Sequence, residues 1–140
     1  MHGRAGRLTG KNGGFRPGQC IWKYLDGNGV FIAGYNRNTT ITNSELTQIG
    51  DSAIALWGYT EGADPLQPPG TGIDGSRGLQ PRYVDITRNL CHEYGHHQKQ
   101  SSCVFIAKSM FANVLEMVAL AQGESVIWTD NERNDSKVTM

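Results

Sequence analysis

The sequence predicts an α+β fold, in which a small N-terminal β-sheet packs against two helices from the C-terminal half. Three observations predict it. Two apolar, aromatic runs flank the turn-forming residues Asp26-Gly-Asn-Gly29, a pattern typical of a β-hairpin. From Arg82 onward the apolar residues follow a helical spacing. Residues 102–123 are apolar nearly all round a helix, which indicates a buried helix.

The chain length of 140 residues favours one domain with one core. Residues 1–18 carry four Lys or Arg side chains, no acid and several glycines, and they predict a flexible basic arm. The domain itself is expected to span residues 19–128. Residues 129–140 are polar and are expected to form a tail.

Charge and hydropathy exclude several classes of partner. The 13 basic and 13 acidic side chains balance to a formal net charge of zero, so we expect neither a nucleic-acid nor a membrane partner. No apolar run approaches the roughly 20 residues of a membrane-spanning helix. No signal peptide is visible at the start, so we expect a cytoplasmic protein or a mature secreted form. The oligomeric state is left open.

The elements before the helices follow from short local patterns. Residues 20–25 and 30–35 are the two predicted hairpin strands. Residues 45–49 fit a short helix or an extended segment, and residues 52–60 predict a strand. Residues 63–81 are rich in Pro and Gly and predict a long loop, which leads into the first helix and is therefore expected to border a cleft.

The most informative pattern is His-Glu-x-x-His at residues 92–96. On a helix, residues four apart share a face, about 6 Å apart along the axis. His92 and His96 would then offer two imidazole nitrogens to one zinc ion, and Glu93 would reach a zinc-bound water. Catalytic zinc sites have three protein ligands as a rule. Glu116, the one acid in the following apolar helix, is the candidate for the third.

The run His92-Glu-Tyr-Gly-His-His-Gln98 resembles the core of the gluzincin metallopeptidases. Glu116-Met-Val-Ala119, followed by Gly123, resembles the second helix of that group. The resemblance covers residues 84–123 and implies a minimal zincin-like fold that binds Zn²⁺. Many of these families place an acid after that Ala, where this chain has Leu120. A carboxylate from elsewhere, or a backbone carbonyl, would then orient the zinc-bound histidine.

The resemblance also implies a reaction, the hydrolysis of peptide bonds in a peptide or protein substrate. Zinc would polarise the scissile carbonyl and bring the pKa of its bound water toward 7. Glu93 would accept the proton of that water and pass it to the leaving amine. His97 would stabilise the oxyanion or support the site from outside the ligand set.

Two other functions compete with a zinc peptidase. The chain could be a non-catalytic binding or structural protein, in which the two helices hold a structural zinc ion or no metal. It could also be a thiol hydrolase, with Cys103 at a helix N-terminus and one of His92, His96 or His97 as its base.

The chain has three cysteines, so at least one thiol is free if two of them pair. A Cys91–Cys103 bridge would join the two predicted helices. The favoured interpretation is that both are small buried hydrophobic residues without a bond.

Overall fold

The chain winds through successive coils: in the described residues, each of the first four adds one strand to each of three parallel sheets, and the fifth adds a strand to two of them. This arrangement is seen in a computed structural model that describes residues 6–9, 12–13, 18–61, 72, 74–107, 110–115, 118–120, 127–130 and 137–139. Side chains are described for residues 18–61, 72 and 74–107. These segments contain fourteen strands and no helix.

Every strand pairs in parallel with the equivalent strand of the next coil. Sheet I has the order β1-β4-β7-β10-β13, with β1 at Gly6–Thr9, β4 at Val30–Ala33, β7 at Ile54–Trp57, β10 at Val104–Ala107 and β13 at Ile127–Asp130. Sheet II has the order β14-β11-β8-β5-β2, with β2 at Asn12–Gly13, β5 at Asn36–Thr42, β8 at Arg82–Thr87, β11 at Met110–Leu115 and β14 at Lys137–Thr139. Sheet III has the order β12-β9-β6-β3, with β3 at Ile21–Leu25, β6 at Glu45–Ile49, β9 at Leu90–Tyr94 and β12 at Val118–Leu120. The fold is therefore a parallel β-solenoid.

Every second side chain along the strands of sheet I points inward, and these side chains form much of the core. Val30 pairs with Ile54, and Ile54 pairs with Val104, so that β-branched side chains stack on one another inside the solenoid. Two positions further on, Ile32, Leu56 and Ile106 form a second inward stack. The other two sheets close the same core with buried aliphatic side chains, namely Ile41, Leu46, Ile49, Val84 and Ile86.

The predicted α+β class is therefore wrong for the described part of the chain. Residues predicted as the first helix form β8 and β9, and residues predicted as the second form β10, β11 and β12. Both segments are short apolar runs separated by corners, and periodicity alone does not separate such runs from buried helix. Val84 and Ile86 are spaced two apart, which places both on one face of a strand, whereas on a helix they would lie about 160° apart around the axis.

The predicted hairpin is also wrong, although both of its strands exist. β3 and β4 belong to different sheets, so residues 26–29 turn a corner between sheets and do not reverse the chain onto itself. Gly29 lies so close to the next coil that a Cβ there would stand 2.5 Å from the carbonyl oxygen of Ala53. The glycine therefore serves coil stacking and not a hairpin turn.

The remaining local predictions have mixed outcomes. Residues 45–49 form strand β6, so the extended alternative is right and the short helix is wrong. The strand predicted within residues 52–60 is confirmed as β7. Of the predicted loop at residues 63–81, positions 63–71 and 73 lie outside the described residues. β1 and β2 fall in the segment predicted as an arm, and β13 begins just before the predicted tail.

The two cysteines Cys91 and Cys103 form a disulfide, with a Cα–Cα distance of 5.7 Å. Both side chains are fully buried. The interpretation favoured from the sequence, two unbonded buried thiols, is therefore wrong. The bond joins β9 to the residue before β10, and it closes the long corner between them.

The corner between β8 and β9 depends on Asn89, which is 1% exposed. Its Oδ1 accepts a hydrogen bond from the backbone N of Ser44 at 3.0 Å, and its Nδ2 donates to the carbonyl of Ile41 at 2.9 Å. Replacing Asn89 by Ala should lower the free energy of unfolding by about 2 kcal/mol or more, because buried backbone groups lose their partner. Urea denaturation measures the change. Asn28→Ala is the control, since Asn28 has one hydrogen bond, at 3.4 Å, and a loss as large in the control would contradict the prediction.

Candidate functional site

The histidine motif begins on strand β9, where His92 and Glu93 both face solvent. An ideal strand would send two successive side chains to opposite faces. Glu93 has a φ of 52°, a left-handed conformation that interrupts the alternation. Cys91 therefore points into the core, His92 and Glu93 point out, and Tyr94 packs back against the core.

The same left-handed residue occurs at the equivalent position of the two preceding coils. Tyr24 has a φ of 59° and Gln48 a φ of 53°. Backbone strain of this kind costs energy and persists where the surrounding structure imposes it, and here the coils impose it on one another. The result is an outward surface on sheet III, which we call the polar face; it comprises Lys23, Tyr24, Glu45, Thr47, Gln48, His92 and Glu93.

Both ring nitrogens of His92 have partners on the neighbouring strand β6. The Nε2 atom lies 2.9 Å from Oε1 of Glu45, and Nδ1 lies 3.2 Å from Oγ1 of Thr47. Thr47 also donates from Oγ1 to Oε2 of Glu93 at 3.2 Å. Thr47 is 7% exposed. These four side chains form one connected hydrogen-bond network, which ties β9 to β6.

The second half of the motif lies in the corner loop, residues 95–103, which connects β9 to β10. The equivalent corners of the earlier coils, residues 26–29 and 50–53, are shorter. Gly95 starts the loop with a φ of 78°. The backbone N of His96 donates to the carbonyl of Ile49, and the backbone N of His97 donates to that of Gly50 at 2.8 Å. The loop is therefore attached to the coil beneath it along its first turn.

The side chains of His96 and His97 are exposed and line a cleft of about 490 Å³ beside the polar face. Tyr24, Asp26 and Gln48 line the same cleft, whereas His92 does not. The structure therefore separates the two halves of the motif. His92 and His96 do not share a helix face, and the geometric argument that placed one zinc ion between them does not apply to this conformation.

Glu116, the predicted third zinc ligand, lies outside the residues that the structure describes. Among the residues that are described, no group of three or more His, Cys, Asp or Glu side chains could hold a metal ion. The zinc ligand set stays a prediction. The thiol alternative loses its nucleophile, because the sulfur of Cys103 is bonded to that of Cys91.

Glu45 and Thr47, the two residues that hold His92, were not among the candidates predicted from the sequence. They lie 47 and 45 residues before His92 in the chain. A signal for their proximity exists: Val-Phe-Ile-Ala occurs both at residues 30–33 and at residues 104–107. Such an internal repeat indicates stacked coils and would have placed residues of successive coils side by side.

Comparison of the chain with protein-family models, with curated proteins and with solved structures finds no match. Within the segments that the structure describes, no helix is long and apolar enough to cross a membrane. The function of this chain is therefore argued from the geometry of its own surfaces.

Proposed function

We propose that this chain is a non-catalytic binding module, a β-solenoid that presents a preorganised polar face and a long corner loop to a ligand. The observation that carries the proposal is the environment of His92. Metal ligation and general base catalysis each need an imidazole nitrogen with a free lone pair. In this structure Glu45 and Thr47 engage the two ring nitrogens, so His92 links two coils and fixes the surface around it.

The polar face is rigid because its side chains stand on paired strands. Its network of Glu45, His92, Thr47 and Glu93 holds each member by at least one hydrogen bond. Side chains held in this way lose little conformational entropy when a ligand binds, and this lowers the cost of binding. Tyr24, at 60% exposed, adds an aromatic ring at the end of the same surface.

The corner loop is the element that makes the surface concave. It projects beyond the shorter corners of the earlier coils, and it is anchored by backbone hydrogen bonds and by the Cys91–Cys103 disulfide. Binding residues commonly lie on loops that a rigid scaffold positions. A long, anchored loop on a regular solenoid fits this role.

The zinc metallopeptidase predicted from the motif is the second candidate function. The presence of His92, Glu93, His96 and His97 within six successive residues supports it. It requires His92 to leave Glu45 and Thr47 and to meet His96 at a common ion.

Metal content and proteolysis together decide between the two functions. After incubation with zinc and dialysis, we expect far less than one zinc ion per wild-type chain by elemental analysis, and no cleavage of fluorescently labelled casein. His92→Ala should lower the free energy of unfolding by about 1–2 kcal/mol, since it removes two hydrogen bonds. His96→Ala, the matched control in the exposed loop, should change it by less than about 0.5 kcal/mol.

The opposite result is equally clear. About one zinc ion per chain, lost in both His92→Ala and His96→Ala, together with casein cleavage that Glu93→Gln abolishes, would establish the peptidase and overturn the binding proposal.

A further inference from the structure

A second cleft, of about 260 Å³, lies on the other side of the corner loop, on the outer surface of sheet I. It is separate from the polar face and from the cleft that His96 and His97 line. Its floor consists of Phe31, Ala55, Trp57 and Phe105. We call it the aromatic cleft.

The strand register explains the shape of the floor. Phe31 on β4 and Phe105 on β10 both pair with Ala55 on the central strand β7. Adjacent strands are about 4.8 Å apart, so the two aromatic residues stand roughly 9.6 Å apart with only a methyl group between them. On the next outward row, Trp57 lies between Ala33 and Ala107. Large and small side chains thus alternate, and they leave a slot above Ala55.

Two of the rings that border this slot stack on each other. Trp57 and Phe105 stack with their planes 6° apart and their centroids 6.1 Å apart. Ala55 is 2% exposed, so the surrounding side chains cover its methyl group almost completely, and it forms the bottom of the cleft. The outward row is half-buried aromatic surface that takes no part in the hydrophobic core.

The rim of the aromatic cleft carries polar groups with both donor and acceptor capacity. Asn28, Gln98 and Gln100 contribute amides, and Asp51 contributes a carboxylate. Oδ1 of Asp51 accepts hydrogen bonds from the backbone N of Ser52 at 2.7 Å and from Oγ of Ser101 at 3.1 Å. These bonds fix the carboxylate and leave Oδ2 without a hydrogen-bond partner in the described part of the chain.

We propose that the aromatic cleft binds one ring of a neutral oligosaccharide. A pyranose ring has an apolar C–H face and an edge of hydroxyl groups. The C–H face packs against aromatic rings, and the hydroxyl groups exchange hydrogen bonds with amides and a carboxylate. The floor and the rim of this cleft supply these two kinds of contact in the corresponding places.

The charge of the residues that line the aromatic cleft favours a neutral sugar over an acidic one. The described residues that line the aromatic cleft include no Lys or Arg, and Asp51 is the one charged group among them. Among these lining residues, the one charge that an acidic sugar would meet is this carboxylate, which would repel it. This inference rests on the proposed binding function, and it adds a second site, with a stated class of ligand, apart from the polar face.

Isothermal titration calorimetry tests the proposal with soluble hexasaccharides of glucose, mannose and N-acetylglucosamine, and with hexagalacturonate as the acidic comparison. At least one neutral hexasaccharide should bind with a Kd of about 1 mM or tighter, and hexagalacturonate should not. Trp57→Ala should weaken binding by at least about tenfold. Tyr83→Ala is the matched control, because Tyr83 is an exposed aromatic residue on sheet II, and it should leave the affinity unchanged.

Ala55→Leu fills the slot from its floor and should also abolish binding. The new side chain stands on the outward face of β7, so the circular dichroism spectrum should match that of the wild type, and thermal unfolding measures the cost of the added bulk at this buried position. Gln98→Ala and Gln100→Ala alter exposed loop residues and should weaken binding without any effect on folding. These two variants keep the test valid if Trp57→Ala unfolds the chain.

Three outcomes would overturn the proposal: no neutral hexasaccharide binds, binding survives both Trp57→Ala and Ala55→Leu, or tetramethylammonium binds in the cleft while the saccharides do not. The last would assign the aromatic cleft to a cation. Zinc-dependent proteolysis would instead overturn the proposed function, so the two failures are distinguishable.

Discussion

Leu56→Ala should lower the free energy of unfolding by about 3–5 kcal/mol, the largest effect expected from any single substitution discussed for this chain. Leu56 is 0% exposed and lies on β7, the central strand of sheet I. It stacks between Ile32 of the previous coil and Ile106 of the next. The strands on both sides fix the backbone, so the cavity left by the lost side chain cannot close easily, and the cost lies toward the upper end of the usual range.

Urea denaturation followed by circular dichroism measures this effect, and Leu90→Ala is the matched control. Leu90 is the first residue of β9, and its side chain is partly exposed and stands outside the core cluster. Leucine-to-alanine substitution at this position should therefore lower the free energy of unfolding by less than about 1 kcal/mol. Similar losses at the two positions would mean that the inward stack of Ile32, Leu56 and Ile106 does not form.

Reduction of the Cys91–Cys103 disulfide should lower the free energy of unfolding by about 3 kcal/mol. The bond links residues 12 apart in sequence, and closing a loop of that size removes roughly this much conformational entropy from the unfolded chain. The folded chain would also lose the covalent attachment of the corner loop to β9. We expect the reduced protein to retain its strands, and to show faster amide hydrogen exchange in residues 95–103 than the oxidised protein.

The measurement compares urea midpoints with and without reductant, for the wild type and for Cys91→Ala/Cys103→Ala. Reductant should lower the midpoint of the wild type and leave that of the double variant unchanged. Cys20→Ser is the control, because Cys20 is a free cysteine, and its response to reductant should equal that of the wild type. Mass spectrometry that finds three alkylated thiols after the unreduced protein has been unfolded in urea would show that the bond is absent and that the interpretation of two buried thiols was right.

The fold could be predicted from the sequence only at the level of short segments. Residues 52–60 were predicted to contain a strand, and β7 confirms it. The predicted hairpin strands at residues 20–25 and 30–35 correspond closely to β3 and β4, and the direction of the chain does change at residues 26–29. The predicted pairing of these two strands with each other was wrong, because a local pattern of strand, turn and strand fits both a hairpin and a solenoid corner.

The helix predictions failed for a different reason. The spacing of Val84, Ile86 and Leu90 is compatible with a stripe on a helix and with two strands that meet at a corner. The preference of β-branched residues for strands favoured the second alternative. The resemblance to a peptidase motif favoured the first, and it assumed that His92 to His96 lie on a single helix.

For the candidate site, the sequence singled out the histidine-rich segment but did not indicate which residues lie beside it. His96 and His97 do line a cleft. The partners of His92 come from β6, one coil away, and their approach depends on the register Thr47–His92. The aromatic cleft likewise needs Phe31, Ala55 and Phe105 to align across three coils.

By itself, the sequence determined which residues are apolar enough to be buried, where glycine and asparagine permit a change of direction, and which segment concentrates imidazole groups. Only the tertiary structure decided which segments lie side by side. The physical reason is that a parallel solenoid is held together by hydrogen bonds and side-chain stacks between residues 24 or 45 positions apart, whereas sequence patterns report on neighbours within a few residues. For His92, coil stacking supplied Glu45 and Thr47 as partners, where the local pattern had suggested His96.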